Sequence, residues 1–319
     1  MRWRKLGKVF DTSKHTLPLG CQHFSQAPQA LVLEDRVRVY FSTRELDAAS
    51  GKYLSHVAFA DYSHDFKELQ GISSHTVIAL GKKGTFDEHG IFPMNVVRYG
   101  DLIYGYTSGV NRRVSVPADG AIGLAVSRNS GHTFERMGDG PVLAPSLREP
   151  CIVVDPFVQV FNGVFHMWYV FGLGWNAPTT NVEPDRVYKI GHATSRDGIS
   201  WEKEEGKQIV SNVLGPDECQ AMPTVIHLHD GYHMFFCYRH ASDFRRNRNR
   251  AYRIGHAWSA DLCVWTRDDS MLKMDTTPGD WDSDMLCYPH AFRCGDNIYL
   301  LYNGNEFGRH GFGLAVLEA

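Results

Sequence analysis

Two carboxylates stand one repeat apart in this chain: Asp155 and Glu218, 63 residues from each other. Each lies just ahead of a proline that opens an alternating apolar run. Asp155 directly precedes Pro156, and Glu218 comes five residues before Pro223. Glu88 and Asp284 hold the same five-before position relative to Pro93 and Pro289, and His23 holds it relative to Pro28. A carboxylate taken out of water is costly unless it is paired, bound to a metal or neutralised by a raised pKa. Several of them sharing one hollow push their pKa values apart, which is the condition acid–base chemistry needs. Asp155, Glu218, Glu88 and Asp284 are therefore the candidate proton donors and acceptors. The competing role for each is structural, as a cap or brace between repeats.

Basic and aromatic residues supply the candidate ligand contacts. Arg44, Arg112, Arg113, Arg186, Arg239, Arg245, Arg246, Arg248, Arg250 and Arg309 crowd five long connections in a chain whose net charge is −3. Solvated surface charge explains any one of them. Their concentration points to an anionic ligand: a phosphate, a nucleotide-sugar or an acidic sugar. Trp175, in one of those connections, and Tyr288, at the start of a repeat, suit stacking against a sugar ring. His23, Gln26, His89 and His290 flank the repeat starts and are read as ligand contacts or structural residues rather than metal ligands. No metal and no cofactor is expected.

These residues need a scaffold that gathers them, and the repeats supply it. Pro28, Pro93, Pro156, Pro223 and Pro289 are spaced 65, 63, 67 and 66 residues apart. Each opens a strand, followed by a turn at Glu34-Asp35, Gly100-Asp101, Asn162-Gly163, Asp230-Gly231 or Gly295-Asp296 and an aromatic-rich return strand. Gly, Asn and Asp accept the positive φ of tight hairpins. A second hairpin follows, plainest in Ile122–Ser127, Ile190–Ser195 and Ile254–Ser259. Two hairpins make a four-stranded antiparallel blade, so the expected fold is an all-β, five-bladed β-propeller. The fifth repeat stops one strand short, and Arg2-Trp3-Arg4-Lys5-Leu6 is expected to complete it and close the ring, removing a sheet edge. Residues 1–319 form one expected domain with little helix. The connections 44–53, 109–120, 172–187, 239–251 and 304–310 are expected as long loops on one face, where function usually sits.

Composition narrows the class. An apolar fraction of 43% and an aromatic fraction of 12% are ample for a core. The slight negative charge, and a basic run at 245–250 without interleaved aromatics, argue against nucleic acid and anionic membranes. Seven cysteines with no Cys-x-x-Cys pair read as reduced thiols, and no signal peptide is evident, so a cytoplasmic location is expected.

The five repeats with an acidic residue ahead of the strand-opening proline resemble the five-bladed propeller glycosidases. That superfamily includes invertase and levansucrase, the arabinanases and β-xylosidases, and the mannoside phosphorylases. Val154-Asp155-Pro156-Phe157-Val158 is similar to the third-blade motif of the arabinanases and xylosidases, whose aspartate orients the sugar and tunes the acid. Asp217-Glu218-Cys219 is similar to the fourth-blade segment carrying the general acid. The resemblance implies cleavage of a glycosidic bond, with a carbohydrate or sugar-phosphate as ligand. The first blade departs from the pattern, because Ala27 stands where the superfamily carries an aspartate. Either Glu88 or Asp284 substitutes, or an external nucleophile such as phosphate does. The same pocket would also serve a glycosyltransferase, or a glycan-binding propeller without chemistry.

Overall fold

Each repeat proline breaks a strand ladder at the same place. The computed structural model describes residues 1–21, 23–176 and 184–318. It is all-β, built from four-stranded antiparallel units, the first two of them joined by one parallel bridge between Ser55 and Gly90. The N-terminal strand is β1 (Arg2–Phe10). Unit one holds β2 (His23–Val32), β3 (Val37–Asp47), β4 (Lys52–Tyr62) and β5 (Leu69–Ile72). Unit two holds β6 (Gly90–Tyr99), β7 (Leu102–Arg112), β8 (Ala118–Ser127) and β9 (Glu135–Arg136). Unit three holds β10 (Cys151–Phe161), β11 (Val164–Asn176), β12 (Asp185–Ser195) and β13 (Glu202–Lys203). Unit four holds β14 (Cys219–Leu228), β15 (Gly231–Arg239), β16 (Arg253–Ser259) and β17 (Thr266–Arg267). Unit five holds β18 (Cys287–Cys294), β19 (Asn297–Asn303) and β20 (Phe312–Glu318). Its fourth strand is β1, antiparallel to β20 from Arg2 opposite Glu318 to Phe10 opposite Phe312.

The middle strands are buried on both faces, because each unit lies between two others. Successive side chains of a strand point to opposite faces. On β11, Trp168 and Val170 pack towards unit four, while Met167, Tyr169 and Phe171 pack towards unit two. Five such apolar layers join units one to two, two to three, three to four, four to five and five back to one. The leading strands β2, β6, β10, β14 and β18 touch in the same cyclic order.

Within every first hairpin the register slips by one residue at the X–Pro pair: Gln26 to Gln29, Ile91 to Met94, Val154 to Phe157, Ala221 to Thr224 and Cys287 to His290. Proline has no N–H to give the ladder, so the strand bulges there and the side chain before it is re-aimed. Ala27, Asp155, Met222 and Tyr288 hold left-handed φ values of 52°, 53°, 50° and 56°. That region is disfavoured for residues preceding proline, and such strain clusters at working sites.

Polar ties lock the bulges. Asn95 donates to Gln29 Oε1 at 2.9 Å and accepts from the Val158 N–H at 2.9 Å. Asn303 accepts from the Ala27 N–H at 2.8 Å.

The connections differ from expectation in one respect. Strands β3, β7 and β11 run on into the segments expected as loops, so Arg44, Arg112 and Trp175 lie on strands, as does Arg186 on β12. The cross-strand ladder continues there because its polar groups find partners: Trp175 is registered with Arg186. Among the described residues, helical structure is limited to one short turn at Asn305–Gly308, with left-handed φ at Glu306 and Phe307, and three short 3-10 turns. Among the described residues, no helix is long and apolar enough to cross a membrane.

Deleting residues 1–10 tests the role of β1. Trp3 and Phe10 are both buried, in the four–five and five–one layers respectively. Losing two large aromatic side chains costs about 6–10 kcal/mol, comparable to a whole domain's stability. The truncated chain is expected to show no cooperative thermal transition by circular dichroism. Cooperative melting within a few degrees of the full chain would show that β1 is dispensable.

Candidate functional site

All five bulged strands feed one cavity of about 710 Å³. Phe24 and Gln26 come from β2, Phe92 from β6, Ile152, Val154 and Asp155 from β10, Ala221 from β14 and Tyr288 from β18. Its upper wall carries His89, Arg44, Arg112, Trp175, Arg186, Arg239 and Arg245. Of the residues singled out from sequence, Asp155, Gln26, His89, Trp175 and Tyr288 meet here, with Arg44, Arg112, Arg186, Arg239 and Arg245 from the basic set.

Asp155 occupies the β10 bulge. Its N–H donates to Ser108 Oγ at 2.7 Å, and its Oδ2 accepts from the Met222 N–H at 3.3 Å, which joins units two, three and four around the carboxyl. Burial pushes its pKa up to about 7, against the pull of Arg186 and of the Met222 N–H. Two other carboxylates line the cavity. Asp119 is paired with Arg113, and Asp185 with Arg245 at 2.8 Å. Among the described residues Asp155 is the cavity carboxylate without an ion-pair partner.

Glu218 is not in the cavity. It is fully buried and accepts from Arg267 Nη1 at 2.6 Å, Gln220 Nε2 at 2.9 Å and the N–H groups of Val213 and Leu214 at 2.8 Å each. Burial raises its pKa, but those donors outweigh burial and hold it below the usual carboxylate value. A carboxylate with its lone pairs spent on four donors cannot protonate a leaving group, so the general-acid assignment to Glu218 is replaced by a structural one.

Glu218→Gln should accordingly destabilise rather than inactivate. Breaking a buried pair costs up to about 3–5 kcal/mol, and Asp269 still holds Arg267 at 2.9 Å. Tm is expected to fall by up to about 10 °C, with kcat/KM at 20 °C changed less than about twofold in that stability-only role. A loss of turnover by orders of magnitude at unchanged Tm would return Glu218 to the chemistry.

Five other expected residues lie elsewhere. Glu88 accepts from the Gly84 N–H at 2.7 Å and so braces its own loop. Asp284 is exposed and accepts from Ser283 Oγ at 3.2 Å. His23 is exposed and off the cavity wall, because its strand turns inward only at the bulge. His290 is buried, stacked near Phe292 and edge-on to Phe157, and burial lowers its pKa to about 3: it is a core residue. Arg309 is exposed and paired with Glu306 at 3.1 Å.

The arginines divide into two sets. Arg112 and Arg245 face carboxylates, Asp47 at 3.4 Å and Asp185 at 2.8 Å. Arg44, Arg186 and Arg239 have no carboxylate partner among the described residues. Arg186 lies over Trp175, 5.7 Å from the ring centre. Arg239 is only 2% exposed. It donates to Tyr188 Oη at 3.2 Å and to the carbonyls of His240 and Ala241, with the Phe244 ring 3.5 Å away. Carbonyls and ring faces stabilise a buried guanidinium without cancelling its charge, so this wall of the cavity is cationic.

Tyr188 and Tyr252, hydrogen-bonded to each other through their hydroxyls, also line the cavity. They stand 64 residues apart in matching segments, Tyr188-Lys189-Ile190-Gly191-His192 and Tyr252-Arg253-Ile254-Gly255-His256, and that repetition was the available sequence signal for them. Among the described residues, no group of three or more His, Cys, Asp or Glu side chains could hold a metal ion.

No family model matches the chain. Two Mycobacterium tuberculosis proteins, the uncharacterized proteins MT1551 and Rv1502, are each 34% identical over 321 residues, covering all of both chains. Solved structures similar to this one include a glycoside hydrolase (15% identity, TM-score 0.73, 99% of this chain and 92% of that one). A β-1,2-mannobiose phosphorylase from Listeria innocua matches at 14% identity and TM-score 0.68 over 100% and 97% of the two chains. An endo-arabinase from Bacteroides thetaiotaomicron matches at 14% identity and TM-score 0.62 over 98% of each. The chain belongs to the family of the mycobacterial proteins MT1551 and Rv1502, built on the fold of propeller glycoside hydrolases and phosphorylases.

Proposed function

We propose that the chain is a single closed five-bladed propeller enzyme that cleaves a glycosidic bond by phosphorolysis, with Asp155 as the acid. An oxygen of phosphate attacks the anomeric carbon, the bond to the leaving oxygen breaks, and Asp155 gives that oxygen its proton. The products are a sugar 1-phosphate and a shortened glycan. One observation carries the reading: the cavity sets a single unpaired carboxylate, poised near neutral pH, against arginines that lack acidic partners. Hydrolysis calls on two carboxylates, one as acid and one as base or nucleophile. Here the second has no unpaired candidate among the described residues, and an anion held by Arg186 and Arg239 takes its place. The similar Listeria innocua structure is named as a phosphorylase. Trp175, Tyr288 and Phe92 supply faces for the sugar. The free cysteines, five of them buried, fit a reducing compartment such as the cytoplasm.

The test is turnover of a panel of disaccharides with and without inorganic phosphate, read by phosphorus NMR. Sugar 1-phosphate formed only when phosphate is present is the expected result. Equal cleavage in phosphate-free buffer would make water the nucleophile, with Asp119 or Asp185 released from its arginine as base. Saturable glycan binding without any product would make the chain a binding module.

A further inference from the structure

Arg44 stands apart from the proposed phosphate contacts. It lies on β3 opposite His23 and lines the cavity, with its guanidinium 4.5 Å from the centre of the Phe24 ring. Its Nε is buried and has no hydrogen-bond partner, and no carboxylate pairs with it among the described residues. Nearly every buried donor in a folded protein finds an acceptor, and a charged one left without carries the full cost of its lost hydration. Phe24 and Tyr53, ring centres 6.0 Å apart, pack beside it and bring no negative charge. The missing acceptor therefore has to arrive with a ligand.

The surroundings separate Arg44 from the other unpaired arginines. Arg239 lies over Tyr188 and Tyr252, 5.2 and 5.5 Å from their ring centres, and Arg186 lies over Trp175. Arg44 lies instead over Phe24, which packs edge-on to Tyr53. Tyr288 and Phe92, ring centres 5.5 Å apart, also line the cavity, and Tyr288 packs against Tyr252 at 5.8 Å. Arg44 is thus held among a different set of aromatic rings from Arg186 and Arg239.

We infer that the sugar itself carries an anionic substituent, a carboxylate or a phosphate ester, which docks on Arg44 while the scissile oxygen faces Asp155. The inference rests on the glycan reading of the cavity but not on which nucleophile attacks. A guanidinium presents parallel N–H groups that match either oxyanion, so the shared chemistry is a planar fork meeting two oxygens.

Calorimetric binding of two matched pairs decides it: glucuronic acid against glucose, and mannose 6-phosphate against mannose. With the wild-type protein the acidic member of at least one pair is expected to bind about tenfold tighter or more, and the two pairs tell carboxylate from phosphate ester. Arg44→Met, which keeps the stem over Phe24, should bring that ratio to about one; Arg44→Lys should keep part of it. Unchanged Tm across the variants excludes unfolding as the cause. Neutral sugars binding as tightly as acidic ones to wild type, or an acidic preference surviving Arg44→Met, would overturn the inference and leave the glycan reading intact. No binding by either member of either pair would overturn both.

Discussion

Asp155→Asn is expected to lower kcat/KM by about 10²–10⁴-fold, the usual contribution of a positioned general acid. Asparagine fills the same volume, tolerates left-handed φ and can still accept from the Met222 N–H, so the bulge survives. What it cannot do is release a proton. The pH dependence gives a second reading. With the Asp155 pKa near 7, the protonated acid is lost as pH rises, and wild-type kcat/KM should fall about tenfold per unit above pH 7. The variant's residual rate should be flat over that range. A substrate with a nitrophenol leaving group needs no proton, and for it the loss should shrink to a small factor. Equal losses on good and poor leaving groups would remove Asp155 from proton transfer.

Stability provides the control. The Asp155 pKa in the folded chain lies above its ordinary value of 3.8. Between about pH 4 and 7 the folded chain therefore binds more protons than the unfolded one, and stability contributed by this group falls as pH rises through that window. Asp155→Asn abolishes the fall. Its Tm at pH 8 should equal or exceed wild type, so the lost turnover cannot be blamed on unfolding.

Arg186→Met is expected to raise the KM for phosphate by about 10–100-fold, the worth of one charge-assisted contact to an anion. Methionine retains apolar packing against Trp175 and removes only the charge. Arg186 also holds down the pKa of Asp155. The same substitution should then move the alkaline limb of the pH profile upward. A structural role alone would lower Tm and leave that limb where it was. Phosphate dependence unaffected by Arg186→Met would place the nucleophile elsewhere.

Much of the architecture was legible because it repeats. The return of proline at near-constant intervals marked the five repeats, but as strand openings; each leading strand in fact starts upstream of its proline, which sits at a bulge where the ladder lacks an N–H. The unpaired strand edge of the last repeat was equally readable, and Arg2–Phe10 does pair with β20. The strand extensions were not readable. Whether residues 44–47 or 172–176 continue a ladder depends on partners across the hairpin, and a polar, arginine-bearing segment looks the same as a loop or as a paired edge.

The site divides along the same line. Residue type and distance from a proline marked Asp155, Gln26 and Tyr288, because the bulge turns those local positions towards one hollow. The same rule put Glu218, Glu88, Asp284 and His23 beside them. Five residues upstream of a bulge the chain is free to bend, so sequence spacing no longer sets direction. Glu218 turned into the core because Arg267, 49 residues away, met it there. Arg44, Arg186 and Arg239 were visible as charge, but which of the cavity arginines would lack a carboxylate was a matter of what lies across the cavity. Covalent periodicity and backbone chemistry are carried by the chain itself; a pKa, an ion pair or an orphaned donor belongs to the space between distant segments, and only folding creates that space.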